Sequence, residues 1–164
     1  MYINARCVIW QDEAVVDSAI IRAILDSYLD RVGADLIPRS GADDIDADAL
    51  HETSIVVLCH DGGEDPVLIY ANAAAAALWK MPVEKLIGLP SRLTAAAHHR
   101  PDRANALTAA RSAGVLYGYS GERVASDGTR FMVRQAVLWT VDGLPQGAGQ
   151  AAMFTSWEPI DDNA

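Results

Sequence analysis

Positive charge is scarce in this chain: 13 Lys and Arg stand against 22 Asp and Glu over 164 residues, for a formal net charge of −9. A partner that presents phosphates, whether a nucleic acid backbone or an anionic membrane surface, needs clustered cations, and this balance argues against both. Cysteine is scarcer still. Cys7 and Cys59 lie far apart and match no metal-ligand spacing, so a reducing compartment would keep both as thiols. Long apolar runs are missing as well. Ile55 to Cys59 and Val67 to Trp79 are too short or too alanine-rich for the roughly 20 residues of a membrane span. Met1 to Asp12 carries one early arginine and soon turns acidic, without the basic and then apolar order of a secretory signal. A cytoplasmic protein with no nucleic acid and no membrane partner is expected. There is also no Gly-x-Gly-x-x-Gly, no Walker loop, no Cys-x-x-Cys pair and no His-Glu-x-x-His.

What is present, 51% hydrophobic and 21% charged residues, can bury one respectable core but scarcely two. Charge is unevenly placed. Residues 1–66 hold 14 acids against 4 bases, residues 67–157 hold 5 acids against 9 bases, and residues 158–164 add 3 acids. The middle segment is therefore a mildly basic unit with acidic flanks, either because the flanks are solvated helices and loops or because the middle forms a cationic pocket. Three units follow: a helical extension over 1–54, a folded domain over 55–157 and an acidic tail over 158–164.

From Asp12 to Val32 the apolar residues Val16, Ile20, Ile24, Leu25, Tyr28 and Val32 recur at helical spacing, with Asp12 as N-cap and Gly33 as the stop. Pro38 to Asp48 is Gly/Asp-rich and predicts a loop, followed by one or two helical turns over Ala47 to Glu52. Ile55 to Cys59 and Val67 to Ala71 are strand-like around the turn cluster His60 to Pro66, which makes a hairpin. Asn72 caps an alanine-rich helix through Lys80, and a short turn runs from Pro82 to Pro90. A further helix covers Pro101 to Ala113. Strands over 115–124, 131–141 and 149–157 follow, joined by the Asp-Gly turns at 127–128 and 142–143. Two leading strands and three trailing ones must cover their apolar faces. This predicts an α+β fold with one five-stranded antiparallel sheet, helices on one face and an amphipathic helix preceding it, which is the PAS arrangement.

Several side chains are candidates for a binding site. His60 ends a strand beside Asp61 and is either a ligand contact or a structural histidine. Tyr70 and Asn72 flank the end of the second strand, where Asn72 is also a natural helix cap. Leu89-Pro-Ser-Arg92 puts the Ser91 hydroxyl and the Arg92 guanidinium on a loop fixed by Pro90; they suit a carboxylate or phosphate, or else Arg92 pairs with an acid of the chain. Tyr117, Tyr119, Gly121 and Arg123 alternate along one strand and so share a face, with Glu122 opposite, and form the wall of a pocket unless that face is solvent. Trp139 is a core residue or a ligand platform, beside small residues that leave room. Gln150, if buried, needs a hydrogen-bond partner from protein, water or ligand. Tyr119, Arg123 and Trp139 are expected around one hollow.

Val57-Leu-Cys-His60, Asp65-Pro66, Tyr70-Ala-Asn72, Leu89-Pro-Ser-Arg92, Gly118-Tyr-Ser-Gly-Glu-Arg123, Asp127-Gly128, Phe131, Val137-Leu-Trp139 and Gly149-Gln-Ala-Ala152 together resemble the MEKHLA domain from about Ile55 to Trp157. That family is PAS-related and occurs as a free-standing bacterial protein and at the C-terminus of plant homeodomain-leucine-zipper factors. The resemblance implies a sensory or regulatory module and not an enzyme, and it supplies neither a catalytic residue nor a ligand. Cys59 stands where a family member more often has Ser, and the Asn/Arg/Gln surroundings of a flavin-adduct cysteine are missing. Binding of a small molecule with an anionic or aromatic group is the leading expectation. The alternatives are a ligand-free module that homodimerises through the N-terminal helix, and a small hydrolase or isomerase using His60 with Tyr119 or Arg123.

Overall fold

The computed structural model describes residues 8–9, 15–16 and 18–161, except 96 and 146. Its elements in chain order are β1 (Val8–Ile9), β2 (Val15–Val16), α1 (Ser18–Val32), α2 (Asp43–Glu52), β3 (Val56–His60), β4 (Leu68–Ala71), α3 (Ala73–Trp79), α4 (Val83–Leu86), α5 (Arg100–Ala113), β5 (Val115–Val124), β6 (Arg130–Val141), β7 (Gly149–Phe154) and β8 (Ser156–Ile160). β1 and β2 form a small antiparallel pair, and the main sheet has the order β4-β3-β7-β6-β5. All its pairings are antiparallel. The α+β sheet of leading hairpin and trailing meander is the one expected.

Two boundaries differ from the periodicity. The first helix begins at Ser18 instead of Asp12, because Val15 and Val16 are β-branched and find a strand partner in Val8 and Ile9. The Asp12 cap lies outside the described residues. α2 begins at Asp43, inside the expected loop. Asp43, Asp44 and Asp46 occupy its first turn, where carboxylates suit the positive end of the helix. Asp46 also accepts from the Ser40 backbone N–H at 2.8 Å and from Arg39 Nε at 3.0 Å.

Alternation along the strands divides the core in two. Val57, Cys59, Tyr70 and Trp139 pack with Ile21, Ile24, Leu25 and Tyr28 of α1 on one face. Val56, Leu68, Ala71, Phe131 and Val133 pack with Ala75 and Trp79 of α3 on the other. The helices between β4 and β5 cover one face, as expected, and the N-terminal helix lies across the opposite one. The last strand is broken: β7 and β8 follow β6 in one continuous register, interrupted at Thr155 opposite Gln135, whose φ of 52° takes it out of the extended region.

Candidate functional site

β3 sends Val57 and Cys59 toward α1, so Leu58 and His60 point the other way, toward α5. β7 is in register with it, and His60 faces Gln150 while Leu58 faces Ala152. Between this part of the sheet and α5 lies a cavity of about 50 Å³ whose polar wall is formed by His60, Ser91, Arg103, Tyr119, Arg123 and Gln150. The remaining lining is mostly apolar, with Leu58, Leu107, Leu138, Trp79 and Phe154 among it.

Tyr119 and Arg123 reach the cavity because β5 is irregular. Its register against β6 shifts between Leu116 and Tyr119 and shifts back before Gly121, with Gly118 at a φ of 69°. A β-carbon on Gly121 would overlap the Tyr119 hydroxyl and come within 3.0 Å of Arg123 Nη1. The glycine therefore lets the two side chains fold over the strand. Arg123 Nη2 donates to the Tyr119 hydroxyl at 3.1 Å, and its guanidinium sits 5.5 Å from the ring centroid. Its Nη1 donates to the Glu122 carbonyl at 2.8 Å.

Arg103 enters from α5, one turn before Leu107, and was not singled out from sequence. The available signal was an arginine four residues before the helix's one leucine, hence on its inner stripe. Among the described residues neither Arg103 nor Arg123 is paired with a carboxylate. Glu122, the acid next to Arg123 in sequence, is buried in other bonds, with Oε1 2.9 Å from Arg130 Nη1 and Oε2 2.7 Å from His99 Nε2. Burial together with the charge of Arg123 lowers the Arg103 pKa to about 10. Burial, with the Arg103 charge acting the same way, lowers His60 to about 4, so its imidazole is neutral at physiological pH.

Three side-chain atoms of the cavity are buried without a hydrogen-bond partner: His60 Nε2, Ser91 Oγ and Gln150 Oε1. The other polar nitrogens of two of these residues are engaged. His60 Nδ1 lies 2.6 Å from the Asp61 carbonyl, and Gln150 Nε2 donates to the Leu107 carbonyl at 2.8 Å. An orphaned buried polar atom costs roughly 1–3 kcal/mol, so three of them on one cavity call for an occupant that supplies partners.

Of the ten candidates from sequence, five meet here: His60, Ser91, Tyr119, Arg123 and Gln150. Trp139 does not. The expected hollow framed by Tyr119, Arg123 and Trp139 is corrected, because Trp139 lies on the opposite sheet face with its ring centroid 4.9 Å from that of Tyr28 on α1. Tyr70 is on that face too, across from Cys59. Tyr117 is 56% exposed, since the shift at Gly118 breaks its alternation with Tyr119. Asn72 is fully buried and serves the backbone, capping α3 through Ala75 N–H. Ser91 and Arg92 part company: the hydroxyl is buried at the cavity, whereas Arg92 is exposed with its Nε 3.1 Å from Asp65 Oδ1. Cys59 belongs to the α1-facing cluster and also borders the cavity beside Leu58 and His60, and burial raises its thiol pKa far above the usual value. Among the described residues Cys59 is the one cysteine, and it lacks the Asn/Arg/Gln surroundings of a flavin-adduct cysteine.

The family model of the MEKHLA domain matches residues 18–159. No curated protein gives a significant match. Among solved structures, an RNA-binding light-oxygen-voltage receptor superposes with a TM-score of 0.59 at 22% identity, covering 74% of this chain and 35% of that one. The chain thus spans about a third of that receptor's length. The PAS domain of a Colwellia psychrerythraea protein gives 0.53 at 14% identity, covering 65% of this chain and 90% of that one. The LOV protein of Rhodobacter sphaeroides gives 0.53 at 13%, covering 71% and 65%. The fold is that of the PAS and LOV domains.

Proposed function

We propose, for a chain that belongs to the MEKHLA domain family, that it is a sensory module whose signal is a small anionic molecule held between α5 and the sheet. The observation that carries this reading is the convergence of Arg103 and Arg123 on one cavity, with no carboxylate among the described residues paired to either. Two like charges in a partly desolvated place repel each other, and an anion between them turns that cost into two charge-assisted bonds. An occupant that holds Arg103 also fixes α5 against β7, since the helix is already tied to that strand through Gln150 and the Leu107 carbonyl. Occupancy then changes the stability of α5, and a change in an outer helix is what a partner can detect.

The ligand-free alternative has less support. The apolar stripe of α1 that suggested a homodimer packs against the chain's own sheet, so association through that helix would have to use its outer face. The catalytic alternative is weaker still, because no hydrogen bond among the described residues links His60 to Tyr119 or Arg123. The test is a thermal-shift series on the full chain with small carboxylates, run for wild type and Arg103→Met. Wild type is expected to gain stability with anion concentration, and Arg103→Met to lose that response without losing stability in buffer alone. Equal responses in both proteins, or none in either, would overturn the reading.

A further inference from the structure

The hydrogen-bond roles of two cavity side chains are fixed by their backbone partners. A carbonyl oxygen only accepts, so His60 Nδ1 must carry the proton it offers to Asp61, and the buried Nε2 is left as a bare acceptor. The same reasoning orients Gln150. Its amide nitrogen donates to the Leu107 carbonyl, which leaves Oε1 buried as a second bare acceptor. His60 and Gln150 are direct cross-strand neighbours, with side chains rooted about 5 Å apart. The cavity therefore has two chemically distinct sides, one of unneutralised guanidinium and one of unsatisfied acceptor atoms.

A plain carboxylate answers the first side and not the second, because it brings further acceptors. An ammonium group would donate to the acceptors, yet the like charges of Arg103 and Arg123 on the same cavity oppose a third cation. A neutral hydroxyl is the donor that both sides tolerate. Size narrows the choice further. A cavity of about 50 Å³ has room for about four waters, hence for a ligand on the order of four to six non-hydrogen atoms.

We propose that the cavity selects a small hydroxycarboxylate, its carboxylate toward Arg103 and Arg123 and its hydroxyl donating to His60 Nε2 or Gln150 Oε1. This rests on the reading of the cavity as an anion receptor. The test is isothermal titration of the full chain with three probes that differ at one position: lactate, propionate, which lacks the hydroxyl, and alanine, which carries an ammonium there. Lactate is expected to bind about tenfold or more tightly than propionate, the usual consequence of leaving a buried acceptor unpaired, and more tightly than alanine. In Gln150→Leu and His60→Phe, each checked for a native circular dichroism spectrum, the preference for lactate over propionate shrinks to a few-fold. Equal affinity of wild type for lactate and propionate, lost in Arg103→Met, overturns hydroxyl selection and leaves the anion receptor standing. Failure of all three to bind at millimolar concentration overturns both.

Discussion

Asn72 shows how much one buried amide can organise. Its Oδ1 accepts from the backbone N–H groups of Val57 and Ala75, both at 3.1 Å, and its Nδ2 donates to the carbonyls of Leu50 at 3.1 Å and Ile55 at 2.7 Å. One side chain thus joins the end of α2, the start of β3 and the first turn of α3. Asn72→Ala is expected to cost about 3 kcal/mol or more, since two carbonyls and two N–H groups lose their partner out of reach of water. Urea denaturation measures it, and a loss below about 1 kcal/mol would refute the account. His60 gives a prediction in pH. Its folded pKa of about 4 lies below the ordinary 6.5, so between these values the unfolded chain binds a proton that the folded chain does not. The stability linked to His60 is complete above pH 6.5 and falls as the pH drops toward 4, by an amount on the order of 3 kcal/mol. His60→Gln is expected to lack this component, leaving a shallower fall in urea midpoint over that window; parallel pH profiles for the two proteins would show that His60 is not the cause.

At the scale of the element, irregularities decide where side chains point. β6 changes its geometry at Gln135, a non-glycine residue at φ 52°. The left-handed region costs such a residue roughly 1–2 kcal/mol. Gln135→Gly should recover about 1 kcal/mol of that in an equilibrium unfolding experiment, and a destabilised variant would mean that the Gln135 side chain contributes more than its backbone strain takes away. On the neighbouring strand, Gly121→Ala pushes against the Tyr119 ring and Arg123. Both are ends of flexible side chains, so the expected result is a stability loss of about 1 kcal/mol together with a weakened thermal response to carboxylates. An unchanged response would show that the packing of Tyr119 over Gly121 does not hold Arg123 in place.

For the molecule as a whole, α1 is a structural layer and not an appendage. Ile21, Ile24, Leu25 and Tyr28 are buried against the sheet, and at about 2 kcal/mol for each such side chain they contribute about 8 kcal/mol, comparable to the full stability of an ordinary domain. A chain lacking residues 1–32 exposes Trp139, Cys59 and Tyr70 on an uncovered sheet face. It is expected to aggregate or to melt without a cooperative transition in circular dichroism. A cooperative melt close to that of the full chain would show that α1 is dispensable. None of the described helices is long and apolar enough to cross a membrane.

The order of elements, the hairpins at the Asp-Gly pairs, the cap at Asn72 and the resemblance to the MEKHLA domain were all legible in the sequence, because each depends on neighbours within a few residues or on motifs in linear order. What only the tertiary structure decided is which side of the sheet each residue occupies. Alternation tells two residues of one strand apart only while the register is unbroken, and the shifts around Gly118 moved Tyr117 away from Tyr119. Tyr70 and Trp139 went to the α1 face for a related reason: alternation says that two faces exist, whereas the packing of helices determines which one holds a cavity. Arg103 stayed hidden until α5 was docked, since the rotation of a helix against a sheet is set by contacts far away in sequence, and that rotation turned a second guanidinium toward Arg123.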